Sequence, residues 1–123
     1  ELDLQKCVFI EAFKKNILEE AKNYRAFMLT SDYEGLSNSM IEAIAMGIPS
    51  ICTDCPIGGA RMIIEDGKNG FLVPVGDEKT LVQKMKKITE IDTCVAVSEK
   101  AKKLKEQLDA CVIAEQWCEV LFS

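Results

Sequence analysis

Apolar positions along this chain come in short runs, separated by glycine, proline and polar residues, and the runs alternate between two periods. Residues 7–10 (CVFI), 26–30 (AFMLT) and 49–53 (PSICT) are nearly continuous, the last entered through Gly47 and Ile48. Runs of that length bounded by turn residues read as strands covered on both faces. Residues 15–24 instead have helical spacing through Ile17, Leu18 and Ala21, and residues 39–46 place Met40, Ile41, Ile44 and Ala45 on one inner face. The turn PIGG (56–59) precedes a short helix ending near Asp66. DGKNG (66–70) then supplies Gly67 and Gly70 for positive backbone angles, and residues 71–73 follow as a short strand. Asp77 reads as the N-cap of a helix over 78–89. Ser98 reads as the start of a lysine-rich amphipathic helix with Ala101, Leu104 and Leu108 inward. A last helix over 112–122 carries Ile113, Trp117, Cys118 and Leu121. Apolar strands alternating with helices predict an α/β fold, a parallel sheet with flanking helices. Nothing repetitive and no linker divides the 123 residues, which suffice for one domain with a modest core.

Composition narrows the function. A hydrophobic share of 48% is globular rather than disordered, and a net charge of −5 disfavours a nucleic-acid partner. The lysines at 84, 86 and 87, and at 100, 102, 103 and 105, alternate with apolar positions and read as solvated helix faces. No apolar run approaches the roughly 18 residues of a membrane span. No basic-then-apolar leader with a small-residue cleavage site is visible, so a cytoplasmic protein is expected. The first residue is not methionine and a strand-like run follows at once, which points to a piece of a longer chain. Cys52 and Cys55 form a C-x-x-C, but there is no second such pair and no histidine. Neither zinc nor a redox pair is favoured, because Cys52 falls inside an apolar run and Pro56 follows Cys55; reduced, buried cysteines are expected. Without histidine, Ser–His and Cys–His nucleophiles are excluded.

The candidate chemistry lies in EGLSNSMIEAIAMG (34–47). Glu34 sits in a turn beside Gly35, just after a strand, and Glu42 in the opening turns of a helix that ends at Gly47. A strand, a glycine turn and a helix N-terminus suit an anion, because unpaired N–H groups and the helix dipole point at it. Carboxylates there cannot hold the anion, but they accept hydrogen bonds from hydroxyls on the same ligand. An anion flanked by hydroxyls describes a nucleotide sugar. Plainer readings stand beside this one. Glu42 closes a capping box Ser39-x-x-Glu42, Glu34 is an exposed turn residue, and the glycines only make turns. Arg61 faces a phosphate or, the favoured reading, a local carboxylate.

Residues 13–88 resemble the C-terminal, donor-binding domain of retaining nucleotide-sugar glycosyltransferases of the GT-B fold, the glycosyl transferases group 1 family. The matching stretches are SDYEGLSNSMIEAIAMGIPSICTD (31–54) and GGARMIIEDGKNGFLVPVGD (58–77). The resemblance implies a partial Rossmann-like domain over residues 1–123, whose first two strands and N-terminal acceptor domain precede residue 1. It implies that Glu34, the catalytic-site carboxylate, hydrogen-bonds hydroxyls of the donor sugar. Amides around Gly35, Leu36, Ser37 and Asn38 would hold the diphosphate, and Glu42 the ribose hydroxyls. Phe13 and Lys14 would lie beside the nucleobase, and Gly58 and Gly59 would let backbone approach the pocket closely. No metal is implied, as no Asp-x-Asp is present, and no cofactor other than the UDP- or GDP-sugar substrate. Met62 stands where the family commonly has glutamate, Tyr24-Arg25 where Ala-Asp is usual, and Ala12 where glycine is frequent.

For the longer protein the resemblance implies a metal-independent transferase of cell-surface glycan synthesis, cytoplasmic and peripheral to the inner face of the membrane. The Trp117 helix resembles the family's closing helix. An exposed patch there is expected, which dimerises or is covered in the longer chain. Residues 1–123 alone would bind donor weakly and transfer nothing. Alternatives are a non-catalytic nucleotide-sugar-binding or interaction module, such as one subunit of a split enzyme, and a related GT-B epimerase.

Overall fold

The computed structural model of the chain describes residues 2–122, apart from the side chain of Leu18, whose inward placement lies outside the described residues. Three parallel strands form the sheet in the order β1 (Phe27–Leu29), β2 (Ser50–Thr53), β3 (Phe71–Val73). Met28 pairs with Ile51, and Ile51 with Phe71. β2 is central, and all four of its residues are buried, which is why SICT has no alternating polar face. Successive side chains still point to opposite faces. Cys52 enters a core with Met40, Ile44, Ile64, Ala101 and Leu104, while Ile51 enters a second with Phe71, Val73, Ile88 and Val97.

The helices are α1 (Ile17–Ala21), α2 (Asn38–Ala45), α3 (Gly59–Ile63), α4 (Glu78–Thr89), α5 (Ile91–Ala101), α6 (Lys103–Gln107) and α7 (Ala110–Phe122). α2 buries Met40, Ala43 and Ile44, with Ile41 and Ala45 only partly covered. It ends in a Schellman turn: Ile48 N–H donates to Ala43 O and Gly47 N–H to Ile44 O, with Gly47 at φ 76°. Asp77 caps α4 as its position predicts, accepting from Thr80 N–H at 3.0 Å.

Several expectations are corrected. Residues 7–10 form no strand. Val8, Phe9 and Ile10 are exposed, and the amides of Cys7 and Val8 close a turn on Leu4 O. Apolar character alone does not make a strand without a neighbour to share its ladder, and β1 pairs only with β2 among the described residues. The helix over 15–24 shrinks to α1. Ser98 lies within α5, not at a helix start; its hydroxyl donates to Gly47 O at 2.6 Å, using its polarity across 51 positions rather than locally. Leu108 is 40% exposed, because the helix breaks at Lys102 and α6 turns that position outward. Gly67 has φ 74°, but Gly70 does not have a positive φ; it is small for packing, since a Cβ there would come within 3.1 Å of Ile64 and of Ser50 O. Cys52 and Cys55 are buried, yet Cys7, Cys111 and Cys118 are exposed. No helix is long and apolar enough to cross a membrane among the described residues.

Candidate functional site

The loops that leave the C-terminal ends of β1 and β2 meet at one end of the sheet, where parallel α/β proteins bind their ligands. The loop after β1 carries Glu34, Gly35 and Leu36 into α2, and the loop after β2 carries Gly58 and Gly59 into α3. These two loops touch backbone to backbone. A Cβ on Gly59 would lie 1.9 Å from Gly35 O and 2.9 Å from Leu36 N. Gly58, at φ 80°, turns the chain for this approach. The structure therefore brings Gly35, Leu36, Gly58 and Gly59 together.

α2 opens with its first turn unoccupied. Ser37 is the N-cap residue but makes no side-chain cap; its Oγ lies 3.0 Å from Ser39 Oγ. The amides of Gly35, Leu36, Ser37 and Asn38 donate to no acceptor among the described residues. They form a row of free donors at the positive end of the helix dipole, a geometry suited to an anion. The capping box fails: the helix begins at Asn38, so Glu42 is its fifth residue and lies beyond the amide that such a box would satisfy.

Glu42 is exposed and borders a cavity of about 180 Å³ between α1 and α2, together with Ser39, Ile17, Ala21, Tyr24 and Phe27. Glu34 is half-buried in the loop before α2 and is not among that cavity's lining residues. The two carboxylates, which flank the amides in sequence, thus do not share this cavity. Phe13 is 95% exposed. Lys14 places its ammonium 2.9 Å from Glu20 and 3.5 Å from Glu11, and the hydrogen bond to Glu20 raises its pKa above the usual lysine value. Neither residue touches Gly35, Gly59 or Glu42 in any hydrogen bond or ion pair. Arg61 takes the local reading: its Nε donates to Asp54 Oδ1 at 2.6 Å.

Sequence reasoning passed over two residues here. Thr53 Oγ1 and Cys55 Sγ both donate to Ser31 O, at 2.5 and 2.9 Å. A polar residue closing an otherwise apolar central strand is the signal that could have marked Thr53. Burial pushes the Cys52 thiol up to about 12, which suits packing rather than nucleophilic chemistry. No group of three metal-ligating side chains is gathered among the described residues.

The class of protein so defined is an α/β fold with a parallel sheet, helices beside it and free amides at the start of α2. The glycosyl transferases group 1 family model matches residues 1–90, and the chain belongs to that family. It is 33% identical over 115 residues, 93% of its length, to the N-acetylgalactosamine-N,N'-diacetylbacillosaminyl-diphospho-undecaprenol 4-alpha-N-acetylgalactosaminyltransferase of Campylobacter jejuni. It is 40% identical over 60 residues, 49% of its length, to a lipopolysaccharide 1,6-galactosyltransferase of Salmonella typhimurium. The chain spans 31% and 16% of those two relatives. A Staphylococcus aureus TarM variant solved with fondaparinux, alpha-GlcNAc-glycerol and UDP superposes with a TM-score of 0.84 at 25% identity, over 98% of this chain and 24% of that one. Anabaena HepE in complex with UDP-glucose superposes at 0.83 with 24% identity, over 96% of this chain and 33% of its own. The fold is that of GT-B glycosyltransferases.

Proposed function

We propose that this chain is the donor-binding portion of a retaining, metal-independent glycosyltransferase that uses a UDP- or GDP-sugar, and that the longer protein builds cell-surface glycans from the cytoplasmic face of the membrane. The observation that carries the reading is the row of unpartnered amides from Gly35 to Asn38, pressed against Gly59 and flanked by Glu34 and Glu42. The amides receive the diphosphate, Glu42 the ribose hydroxyls and Glu34 the sugar hydroxyls. Phe13 and Lys14, which precede α1, are proposed to lie beside the nucleobase; that α1 contributes Ile17 and Ala21 to the Glu42 cavity supports this. Departure of the nucleoside diphosphate builds negative charge on its phosphates, where fixed N–H donors stabilise it without reorganising. The names of the relatives support the reading: sugar transfer to a diphospho-undecaprenol and to lipopolysaccharide in two of them, and UDP bound to TarM.

Titration of the chain with UDP, GDP and ADP by calorimetry tests it. A preferred nucleotide is expected, and Glu42→Ala weakens it about tenfold, the loss of one charge-assisted hydrogen bond. An unchanged affinity for Glu42→Ala ends the ribose assignment, and binding of no nucleotide ends the reading. The same chain is expected to show no transfer to any acceptor; turnover by these 123 residues alone would contradict a donor-only portion.

A second reading, one subunit of a split transferase, is favoured by the exposed Trp117 and Leu121 on α7. A 51-residue match at 41% identity to the GtfA subunit of a Streptococcus pneumoniae N-acetylglucosaminyltransferase, covering 42% of this chain and 10% of that protein, also supports it. Covering of Trp117 on mixing with a partner chain, read by its fluorescence, separates the two.

A further inference from the structure

We propose that Thr53 and Cys55 are positioning residues that fix the loop carrying Glu34 and the free amides; their role in donor binding rests on the function proposed above. β1 ends at Leu29, so the carbonyl of Ser31 lies beyond the strand ladder. At this level the Asp54 N–H of the central strand is given to Val73 O, on β3, and so is not available to the loop after β1. Side chains take over the anchoring. The Thr53 hydroxyl and the Cys55 thiol converge on the one Ser31 oxygen and fill both of its acceptor positions. The two donor atoms are 3.4 Å apart, and their residues are 9% and 3% exposed. Little water competes for these bonds, and losing a donor leaves the carbonyl short of a partner.

The same segment holds the loop a second time. Cys55 O accepts from Gly58 N–H at 2.9 Å, and the turn so formed delivers Gly59 onto the backbone of Gly35. Residues 53–59 therefore grip the loop at Ser31 and at Gly35, with only Asp32, Tyr33 and Glu34 between the two anchors. The backbone of Glu34 is held at both ends of a three-residue span, next to the amides that follow it.

The test uses the 123-residue chain with Thr53→Val, which removes one donor at nearly constant shape, and Cys55→Ala, which removes the other with its sulfur, against Thr53→Ser and Cys55→Ser, which keep a donor at each position. Order in the loop is read by heteronuclear NOE at residues 32–36, with Thr80 in α4 as reference, alongside UDP affinity. The Val/Ala double variant is expected to lower the NOE at 32–36 but not at Thr80, and to weaken UDP about tenfold. The serine variants should stay within about twofold of the parent chain. A double variant with parent NOE values and affinity overturns the proposal. So does a serine pair as damaged as the Val/Ala pair, because packing rather than hydrogen bonding would then be at work. If the double variant does not fold, Cys55→Ala alone is read by the same two measurements. If the parent chain binds no UDP, the functional reading fails, while the NOE comparison still decides whether Thr53 and Cys55 anchor the loop.

Discussion

Replacing Gly59 with alanine puts a methyl group in place of a hydrogen at the point where the two loops meet. The new Cβ would lie 1.9 Å from Gly35 O and 2.4 Å from Gly35 C. Ordinary contact begins at 3.4 Å, so the Gly35 carbonyl must retreat by about 1.5 Å. Both atoms are backbone, and no rotamer change relieves the clash. Overpacking of this kind costs about 1–3 kcal/mol, which for a domain of this size lowers Tm by roughly 5–10 °C. The larger effect falls on the ligand. Moving the Gly35 carbonyl also moves the amides that follow it, and losing one charge-assisted hydrogen bond to the ligand lowers nucleotide affinity about tenfold even where the variant is folded. Calorimetric titration with UDP below the variant's Tm measures this. Gly67→Ala is the control: its φ of 74° makes alanine strained, but nothing lies within 4 Å of the added carbon. It should lose stability and keep its affinity. If Gly59→Ala melts within about 2 °C of the parent chain and binds UDP as well, the loops do not touch and the site as described does not exist.

Two other outcomes follow from local chemistry. Asp66 is partly buried, which opposes ionisation, but Lys84 Nζ at 2.9 Å and the Leu72 amide outweigh this and hold its carboxyl below the usual value. Its folded pKa is lowered, so the stabilisation is present above about pH 4 and disappears as pH falls through the folded value. With half the side chain exposed the effect is about 0.5 kcal/mol or less; urea midpoints between pH 3 and 7 should show a shallower acid decline for Asp66→Asn, and an identical decline refutes it. In native protein a thiol reagent should label Cys7, Cys111 and Cys118 rapidly, and Cys52 and Cys55 only after denaturation. At pH 8 a Cys52 thiol with pKa about 12 is ionised to about one part in ten thousand. Fast native labelling at Cys52, located by peptide mapping, would contradict its burial.

What the sequence disclosed and what it hid divide along one physical line. β2, β3, α2 and α4 were legible because local signals and burial agree there: SICT is a short run bounded by turn residues and fully enclosed, Asp77 caps the helix it precedes, and Gly47 closes α2 in αL. Residues 7–10 have the same apolar character, but a strand is a pairing, and pairing is not written in the run itself. Ser98 and Thr53 were misread or passed over for a related reason. Both spend a hydroxyl on a carbonyl far away in sequence, Gly47 O and Ser31 O, so no local pattern marks them. Of the candidate site the sequence named residues but not how they meet. The glycines and acids of 34–59 could be named, whereas the contact between Gly35 and Gly59 exists only once the two loops are folded onto one end of the sheet.

That end of the sheet also accounts for a larger hollow elsewhere. A cavity of about 630 Å³ opens at the opposite end, lined by Tyr24 and Arg25 before β1 and by Ile48 and Pro49 before β2. Size alone would favour it as the ligand site, and its Lys22, Arg25 and Lys102 would seem to invite an anion. The direction of α2 argues otherwise. Its free N–H groups lie at the Gly35 end, while its carbonyl end, closed by Gly47, faces this larger cavity and carries the negative pole of the dipole. Cations are expected there as complements to the helix terminus, and two are already matched, Lys22 to Glu19 and Lys102 to Glu99. Lys102 lies so close that a Cβ on Gly47 would meet its side chain at 2.7 Å. The polarity of one eight-residue helix therefore sets the two ends of the sheet apart: its carbonyl end faces the basic cavity, and its free amides lie at the other end, the one whose dipole favours an anion.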